Sequence, residues 1–249
     1  MINYLKSERY RLVRKKSLHI TSIIACLLII AFAFTLDYFG RNETGFPYAT
    51  SSFFYSNVIG GSLFIFIIVL IVSSSLTGKD LLLLKQSISF GISRNTIFWS
   101  KLLLTLSYFL LLCLIGMLLM VGLGETLFPK EDLVMESFLI ASVNMLPIVL
   151  SSFFLVHVLK MIRVPDIYTI VILIVTYTLS DDVLKLLFRN IDSLNEVYKW
   201  TPSALLNENM WAFFDLNISV AWTHWIVGML ISFVVLSLGV WSFNKKDID

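Results

Sequence analysis

Long apolar stretches without charged residues alternate with short charged segments along the 249-residue chain. Six windows contain no Asp, Glu, Lys or Arg: residues 17–36, 44–78, 102–124, 137–159, 167–180 and 216–244. A membrane-spanning helix needs about 20 predominantly apolar residues, and five of these windows are long enough. The window 167–180 reaches that length if its helix begins near Arg163, whose long side chain can extend to the lipid headgroups, or continues past Asp182. The pattern therefore predicts an all-α polytopic membrane protein with six transmembrane helices, forming a single transmembrane domain over residues 1–249.

The composition agrees with this class of protein. Hydrophobic residues make up 57% of the chain and charged residues 14%, whereas a soluble domain has roughly 45–50% and about 25%. So little charge cannot cover a water-soluble surface, which excludes an ordinary soluble enzyme and a disordered chain. With 2 cysteines, the chain is not a secreted disulfide scaffold either.

Positive charge falls on one side of the predicted membrane. With the amino terminus in the cytoplasm, 14 of the 19 Lys and Arg residues lie on the cytoplasmic side, and 12 of the 17 Asp and Glu residues lie on the outer side. Cytoplasmic loops of membrane proteins carry the excess of Lys and Arg. We therefore expect a multi-pass protein of the cell membrane with both termini in the cytoplasm.

Residues 1–16 combine apolar side chains with six basic ones. A basic amphipathic helix of this kind lies in the headgroup region, with its charges on anionic membrane lipid. The alternative is a plain positive anchor that fixes the orientation of the first span.

The segment from residue 78 to residue 101 is too apolar for a solvated loop and too interrupted for a span. We expect a short helix that ends at Gly91, because glycine tolerates the required backbone turn, and we expect Ser93 to cap the third span. A short helix parallel to the membrane suits docking to a soluble partner. The alternative is an interfacial helix that packs only on lipid.

Polar groups also occur in the outer half of the predicted bundle. Asn144 can bond to another helix or contact a substrate, and Pro147 kinks the same span. Residues 181–215 form a long outer connection rich in aromatic residues. There we expect short helices that dip into the outer leaflet, with Trp and Tyr as interfacial anchors.

Catalytic and cofactor-binding motifs are absent from the sequence. It contains no His-Glu-x-x-His, no Gly-x-Ser-x-Gly and no Gly-x-x-x-x-Gly-Lys-Ser/Thr, so we predict no catalytic residue, no metal ligand and no ATP site in this chain. The six windows also lack the Asp, Glu, Lys and Arg residues that ion-coupled carriers keep within their spans. A transporter of this composition takes its driving force from elsewhere or conducts passively.

The order of these features resembles, over almost the whole chain, the permease subunit of ABC exporters of the ABC-2 family. There a basic "elbow" helix, matched by residues 1–16, precedes six spans. Residues 90–101 (FGISRNTIFWSK) resemble the stretch in which Gly/Pro-Ile-Ser-Arg leads from the coupling helix into a span with a lysine near its start. Residues 200–206 (WTPSALL) resemble the proline-containing segment before the last span. Where many members have a glutamate-rich start to the coupling segment, this chain has Lys79-Asp80.

The resemblance implies a mechanism and a set of partners. Two permease chains, identical or homologous, would form the pathway, and two copies of a separate ABC ATPase subunit would bind ATP and Mg beneath them. No cofactor in this chain and no nucleic acid are implied. The coupling segment, residues 78–94, would dock the ATPase through Leu82, Leu83, Lys85, Gln86, Ser89 and Phe90.

The resemblance also bears on the cargo. Small permeases of this kind occur in Gram-positive bacteria, and some of them export antimicrobial or amphipathic peptides. Apolar spans without fixed charge suit an amphipathic substrate, such as a peptide, an antimicrobial or a lipid-like molecule. Two other classes stay open: a non-transporting membrane sensor or assembly protein that holds a soluble regulator, and, more weakly, an ion-coupled carrier.

Overall fold

The computed structural model describes residues 2–77, 81–189 and 196–245, and within them the chain folds into helices joined by short turns. The side chains of residues 2, 81 and 82 lie outside this description. The helices in chain order are α1 (Ile2–Val13), α2 (Lys16–Asn42), α3 (Ser51–Gly60), α4 (Ser62–Ser74), α5 (Leu81–Ser89), α6 (Arg94–Leu127), α7 (Val134–Met161), α8 (Asp166–Tyr177), α9 (Ser180–Phe188), a 3-10 turn (Val197–Trp200), α10 (Pro202–Phe214) and α11 (Trp222–Lys245).

Four helices are long and apolar enough to cross a membrane, namely α2, α6, α7 and α11. The pair α3 and α4 passes the same test together and is bent by 52°, so the described residues hold four to five candidate spans. Helix α8 has 12 residues, or about 18 Å of helix, against a hydrocarbon core of about 30 Å. The prediction of an all-helical membrane protein is therefore confirmed at this coarser level.

The window 44–78 gives two helices instead of the single predicted span. The break falls at Gly60 and Gly61, and paired small residues of this kind are a common cause of sharp helix bends. Before the break, the Asn57 side chain donates to the Phe53 carbonyl at 2.7 Å. A Cβ at position 61 would stand 2.2 Å from the Asn57 carbonyl oxygen, so the bent backbone accepts only glycine there without a shift.

Helix α7 occupies the centre of the bundle. In its most apolar window, 56% of the residues are buried, compared with 11–17% in the other three long helices. Helix α11 packs along it at two glycines: a Cβ at Gly228 would meet the Pro147 backbone at 2.6 Å, and one at Gly239 would meet Val158 at 2.3 Å. Small residues let helix backbones approach this closely. The earlier glycine of α11 contacts the earlier residue of α7, and the later glycine contacts the later residue. The two helices are therefore parallel.

The parallel arrangement requires the intervening chain to return along α7. It does so through α8, since Asp166 pairs with Lys160 and the Tyr177 hydroxyl lies 2.8 Å from that of Ser151. The return ends where the Asn209 side chain of α10 donates to the Ala141 carbonyl in the first half of α7.

Candidate functional site

The residues predicted to form the docking surface lie on α5. Leu83, Gln86, Ser89 and Phe90 are exposed on one side of this helix and its end, with Leu83 at 42% and Phe90 at 84% of full exposure. Lys85 is half-buried. Leu82 lies in α5, but its side chain is outside the described residues. We call the four exposed residues the α5 surface.

The opposite side of α5 is anchored in the protein interior. Leu84 is buried in the main hydrophobic core, and Ile88 packs against the same core. The helix ends as expected at Gly91, which has a φ of 80°, in the left-handed region that favours glycine. There the Gly91 amide donates to the Ile88 carbonyl at 2.9 Å and the Ile92 amide to the Ser87 carbonyl at 3.1 Å. These bonds fix the orientation of the exposed Phe90.

The predicted cap of the next helix is also confirmed. The Ser93 side chain accepts a hydrogen bond from the Thr96 amide at 3.3 Å at the start of α6. One residue later, the Arg94 guanidinium donates to the Asn244 carbonyl at 2.8 Å, and the Asn244 amide donates to the Asn95 side chain at 2.8 Å. The start of α6 and the end of α11 therefore lie at the same end of the bundle.

A buried ion pair next to α5 was not predicted from the sequence. The Lys101 ammonium on α6 lies 3.3 Å from a carboxylate oxygen of Glu8 on α1, and their side chains are 2% and 4% exposed. The same ammonium donates to the Leu76 carbonyl, just after α4, at 2.5 Å. Three separate elements therefore meet at one buried charge, and we call this group the Glu8–Lys101 junction.

Further contacts surround the Glu8–Lys101 junction. The Arg11 guanidinium donates to the other Glu8 oxygen at 2.7 Å. Burial, together with the nearby Glu8 carboxylate, raises the pKa of Tyr4. The Tyr4 side chain packs against the same hydrophobic core as Leu84 and Ile88 of α5.

The amino terminus is also tied to α4 directly, because the Lys15 ammonium donates to the Ser75 carbonyl. Breaking a buried pair by removing one partner costs about 3–5 kcal/mol, since the remaining charge is left in a dry interior. The Glu8–Lys101 junction therefore resists rearrangement and holds α1, α6 and the end of α4 together.

The two polar positions predicted in the fourth window lie in the first half of α7. The Asn144 side chain accepts from the Ala221 amide at 2.9 Å and donates to the Ser219 carbonyl at 2.9 Å. It also donates to Asn209 of α10 at 3.3 Å. Pro147 contributes the backbone surface on which Gly228 packs. All of these are contacts within the chain that join α7, α10 and α11.

Groups that could hold a metal ion are absent among the described residues: no cluster of three or more His, Cys, Asp or Glu side chains occurs there. The two cysteines, Cys26 and Cys113, lie on α2 and α6 and are not bonded to each other. Lys79 and Asp80 are outside the described residues, so the start of the coupling segment is left as a sequence observation.

Comparisons with models of protein families, with curated proteins and with solved structures found nothing that matches the chain.

Proposed function

We propose that the chain is the permease subunit of an ATP-driven ABC exporter of the ABC-2 type. The observation that carries the proposal is the α5 surface: a short helix exposes Leu83 and Phe90, while Leu84 on its other side packs in the same hydrophobic core as Leu12 of α1 and Leu76. Large exposed apolar residues on a polar-rimmed surface are typical of protein interaction sites. In this proposal residues 1–16 are the elbow helix and α5 is the coupling helix.

Six crossings fit the contacts along α7. The chain from α8 to α10 starts beside Lys160, which pairs with Asp166, and ends beside Asn144, which contacts Asn209. These two positions are 16 residues apart on α7, or about 24 Å along the helix axis. In this proposal α8 and the turn after it make the fifth crossing, and α3 with α4 makes the second. The short helices α9 and α10 then lie at the outer leaflet.

Both termini belong on the cytoplasmic side in this arrangement. Lys15 reaches Ser75 after α4, and Arg94 at the start of α6 reaches Asn244 at the end of α11. These contacts group the first helix, the end of α4, the start of α6 and the end of α11 at one end of the bundle. That end carries most of the Lys and Arg residues, as expected of a cytoplasmic face.

The mechanism follows from the anchoring of α5. A separate ATPase subunit binds the α5 surface, and closure of two such subunits around ATP and Mg moves α5 relative to the membrane. The Glu8–Lys101 junction passes the movement to α1, α4 and α6. ATP thus acts as the ligand that favours one of two packed states, as any conformational switch requires. A second permease chain, identical or homologous, completes the pathway for an amphipathic substrate.

The test is recovery of the partner from membranes. The full-length chain, extracted in mild detergent, is expected to retain a subunit identified as an ABC ATPase by its phosphate-binding loop. Phe90→Asp places a charge at the centre of the contact and should abolish recovery, whereas Phe90→Leu keeps the apolar surface and should preserve it. Tyr10→Asp, at an exposed position of α1, is the matched control for an added surface charge.

The alternatives predict different results. A sensor or assembly protein would retain a soluble partner without an ATPase fold and would move no substrate in vesicles supplied with ATP. An ion-coupled carrier would transport along a pH or sodium gradient with no ATPase present. Loss of the ATPase from Phe90→Leu and Tyr10→Asp as well as from Phe90→Asp would show that α5 is not the contact.

A further inference from the structure

An open cavity of about 620 Å³ lies between α9, the 3-10 turn and α10. It is distinct from the α5 surface, because it adjoins the part of α10 that contacts Asn144 in the outer half of α7. The charged side chains of its lining are two carboxylates and two ammonium groups, from Asp181, Lys185, Lys199 and Glu208. A cavity lined equally by both signs of charge suits a ligand that carries both.

Internal contacts hold one wall of the cavity in place. The buried Asp181 carboxylate accepts from the Ser203 hydroxyl at 2.8 Å and from the Lys185 ammonium at 3.1 Å. Burial works against ionisation, but these hydrogen bonds prevail and lower the pKa of Asp181. The Lys185 ammonium also lies 4.7 Å from the centre of the Tyr198 ring. An ammonium group has three donors, so Lys185 keeps donors for a ligand.

The second wall is a face of α10. Glu208 and Trp211, three residues apart, lie on the same side of this helix, and both line the cavity. Glu208 is exposed and forms no ion pair with any of the residues that the structure describes. Trp211 is 62% exposed. A free carboxylate beside an indole face is the arrangement that binds an organic ammonium group.

Exposed tryptophans indicate the depth at which the cavity opens. Trp200, Trp211 and Trp222 are 56%, 62% and 73% exposed and lie on the elements around the outer end of α11. Tryptophans in such a position form the aromatic belt at the level of the lipid headgroups. The molecules present there at the highest concentration are phospholipids.

We infer that this cavity binds the zwitterionic headgroup of an outer-leaflet phospholipid, one that carries both an amine and a phosphate. The amine lies against Glu208 and the Trp211 ring. The phosphate accepts hydrogen bonds from Lys185 and from Lys199, whose ammonium also pairs with Glu196 and has three donors. Charge-assisted bonds of this kind are about twice as strong as neutral ones. The site does not depend on an ATPase partner, so it can be tested independently of the proposed transport function.

The test uses the purified full-length chain in detergent and three soluble probes: glycerophosphoethanolamine, which carries both charges, glycerol phosphate and ethanolamine. Binding is measured by saturation-transfer NMR. We expect the zwitterion to bind at least about tenfold more tightly than either half, a difference of about 1.4 kcal/mol. Equal binding of glycerol phosphate would mean an anion site, and no binding of the zwitterion would mean no headgroup site. Either result overturns the inference.

Variants identify the contacts. Glu208→Gln should weaken zwitterion binding roughly fivefold or more and leave glycerol phosphate unchanged, because a charge-assisted bond to the amine is lost. Asp182→Asn removes an exposed carboxylate of α9 that does not line the cavity, and it should bind as the wild type does. Trp211→Phe keeps an aromatic face and should bind more tightly than Trp211→Ala. Unchanged binding by Glu208→Gln, at an unchanged melting temperature, would contradict the inference.

Discussion

Replacing Lys101 by methionine tests the Glu8–Lys101 junction most directly. Methionine keeps the length and apolar stem of the side chain and removes its charge. The Glu8 carboxylate, 4% exposed, then stays buried with its Arg11 partner at 2.7 Å. Since Arg11 still compensates part of the charge, we expect the loss at the lower end of the range for a broken buried pair, about 3 kcal/mol.

The measurement is thermal unfolding of the purified chain in detergent. For a domain of this length, a loss of about 3 kcal/mol corresponds to a fall in melting temperature of roughly 6–12 °C. The matched control is Lys199→Met, which breaks an ion pair whose two side chains are 55% and 72% exposed. Because exposed pairs contribute little, this control should melt as the wild type does.

The double variant Glu8→Gln/Lys101→Met separates the pair from the two side chains. Glutamine preserves the shape of glutamate, so the double variant removes both charges without leaving one buried alone. We expect it to lose less stability than the sum of the single variants, by at least about 1 kcal/mol. Strictly additive losses, or a Lys101→Met protein as stable as the Lys199→Met control, would refute the view that this ion pair holds the elements together.

Three further predictions concern the outer half and the core. Gly228→Ala pushes a methyl group into the α7 backbone and should cost about 1–3 kcal/mol, whereas Gly122→Ala, with no atom within 4 Å of the new Cβ, should leave the melting temperature unchanged. Asn144→Leu removes the acceptor of the amide that leads into α11 and should cost about 1–3 kcal/mol, with faster hydrogen exchange there and not at α5. The lowered pKa of Asp181 means that its ionised form stabilises the fold above its ordinary pKa of 3.8 and that this contribution is lost as the pH falls further, through the folded pKa. The wild-type melting temperature should therefore fall more steeply below about pH 4 than that of Asp181→Asn, and parallel curves would contradict the assignment.

The sequence predicted the local features of the fold because their causes are local. Charge-free windows located the apolar helices, Gly91 ended α5, and Ser93 capped α6. The break at Gly61 was missed, although the Gly60-Gly61 pair within the long charge-free window was a sequence signal for it. The sequence showed α8 as the shortest charge-free window. It did not show that the helix would end at Tyr177, where a turn follows.

The α5 surface and the Glu8–Lys101 junction differ in how far the sequence reveals them. An apolar surplus between two spans marked α5. Four of the six proposed contact residues are exposed and Lys85 is half-buried. The ion pair joins residues 93 positions apart, and no local pattern links them. One signal existed: Glu8 is the one acid among six basic residues in the first 16. The ion pair with the buried Lys101 explains why a single acid occurs in this basic segment.

Helix α6 connects the Glu8–Lys101 junction to the opposite end of the bundle. It runs for 34 residues, about 51 Å, and is fixed near its start by Lys101. Near its other end, Gly124 lies against Tyr55 of α3, where a Cβ would stand 2.1 Å from the phenol oxygen. The Leu76 carbonyl binds the same Lys101, so α6 is attached to both ends of the bent pair α3–α4. A rigid helix attached to both arms of a bent pair fixes the distance between them. The bend at Gly61 can therefore change only if α6 loses its contact with Tyr55 or with the Leu76 carbonyl.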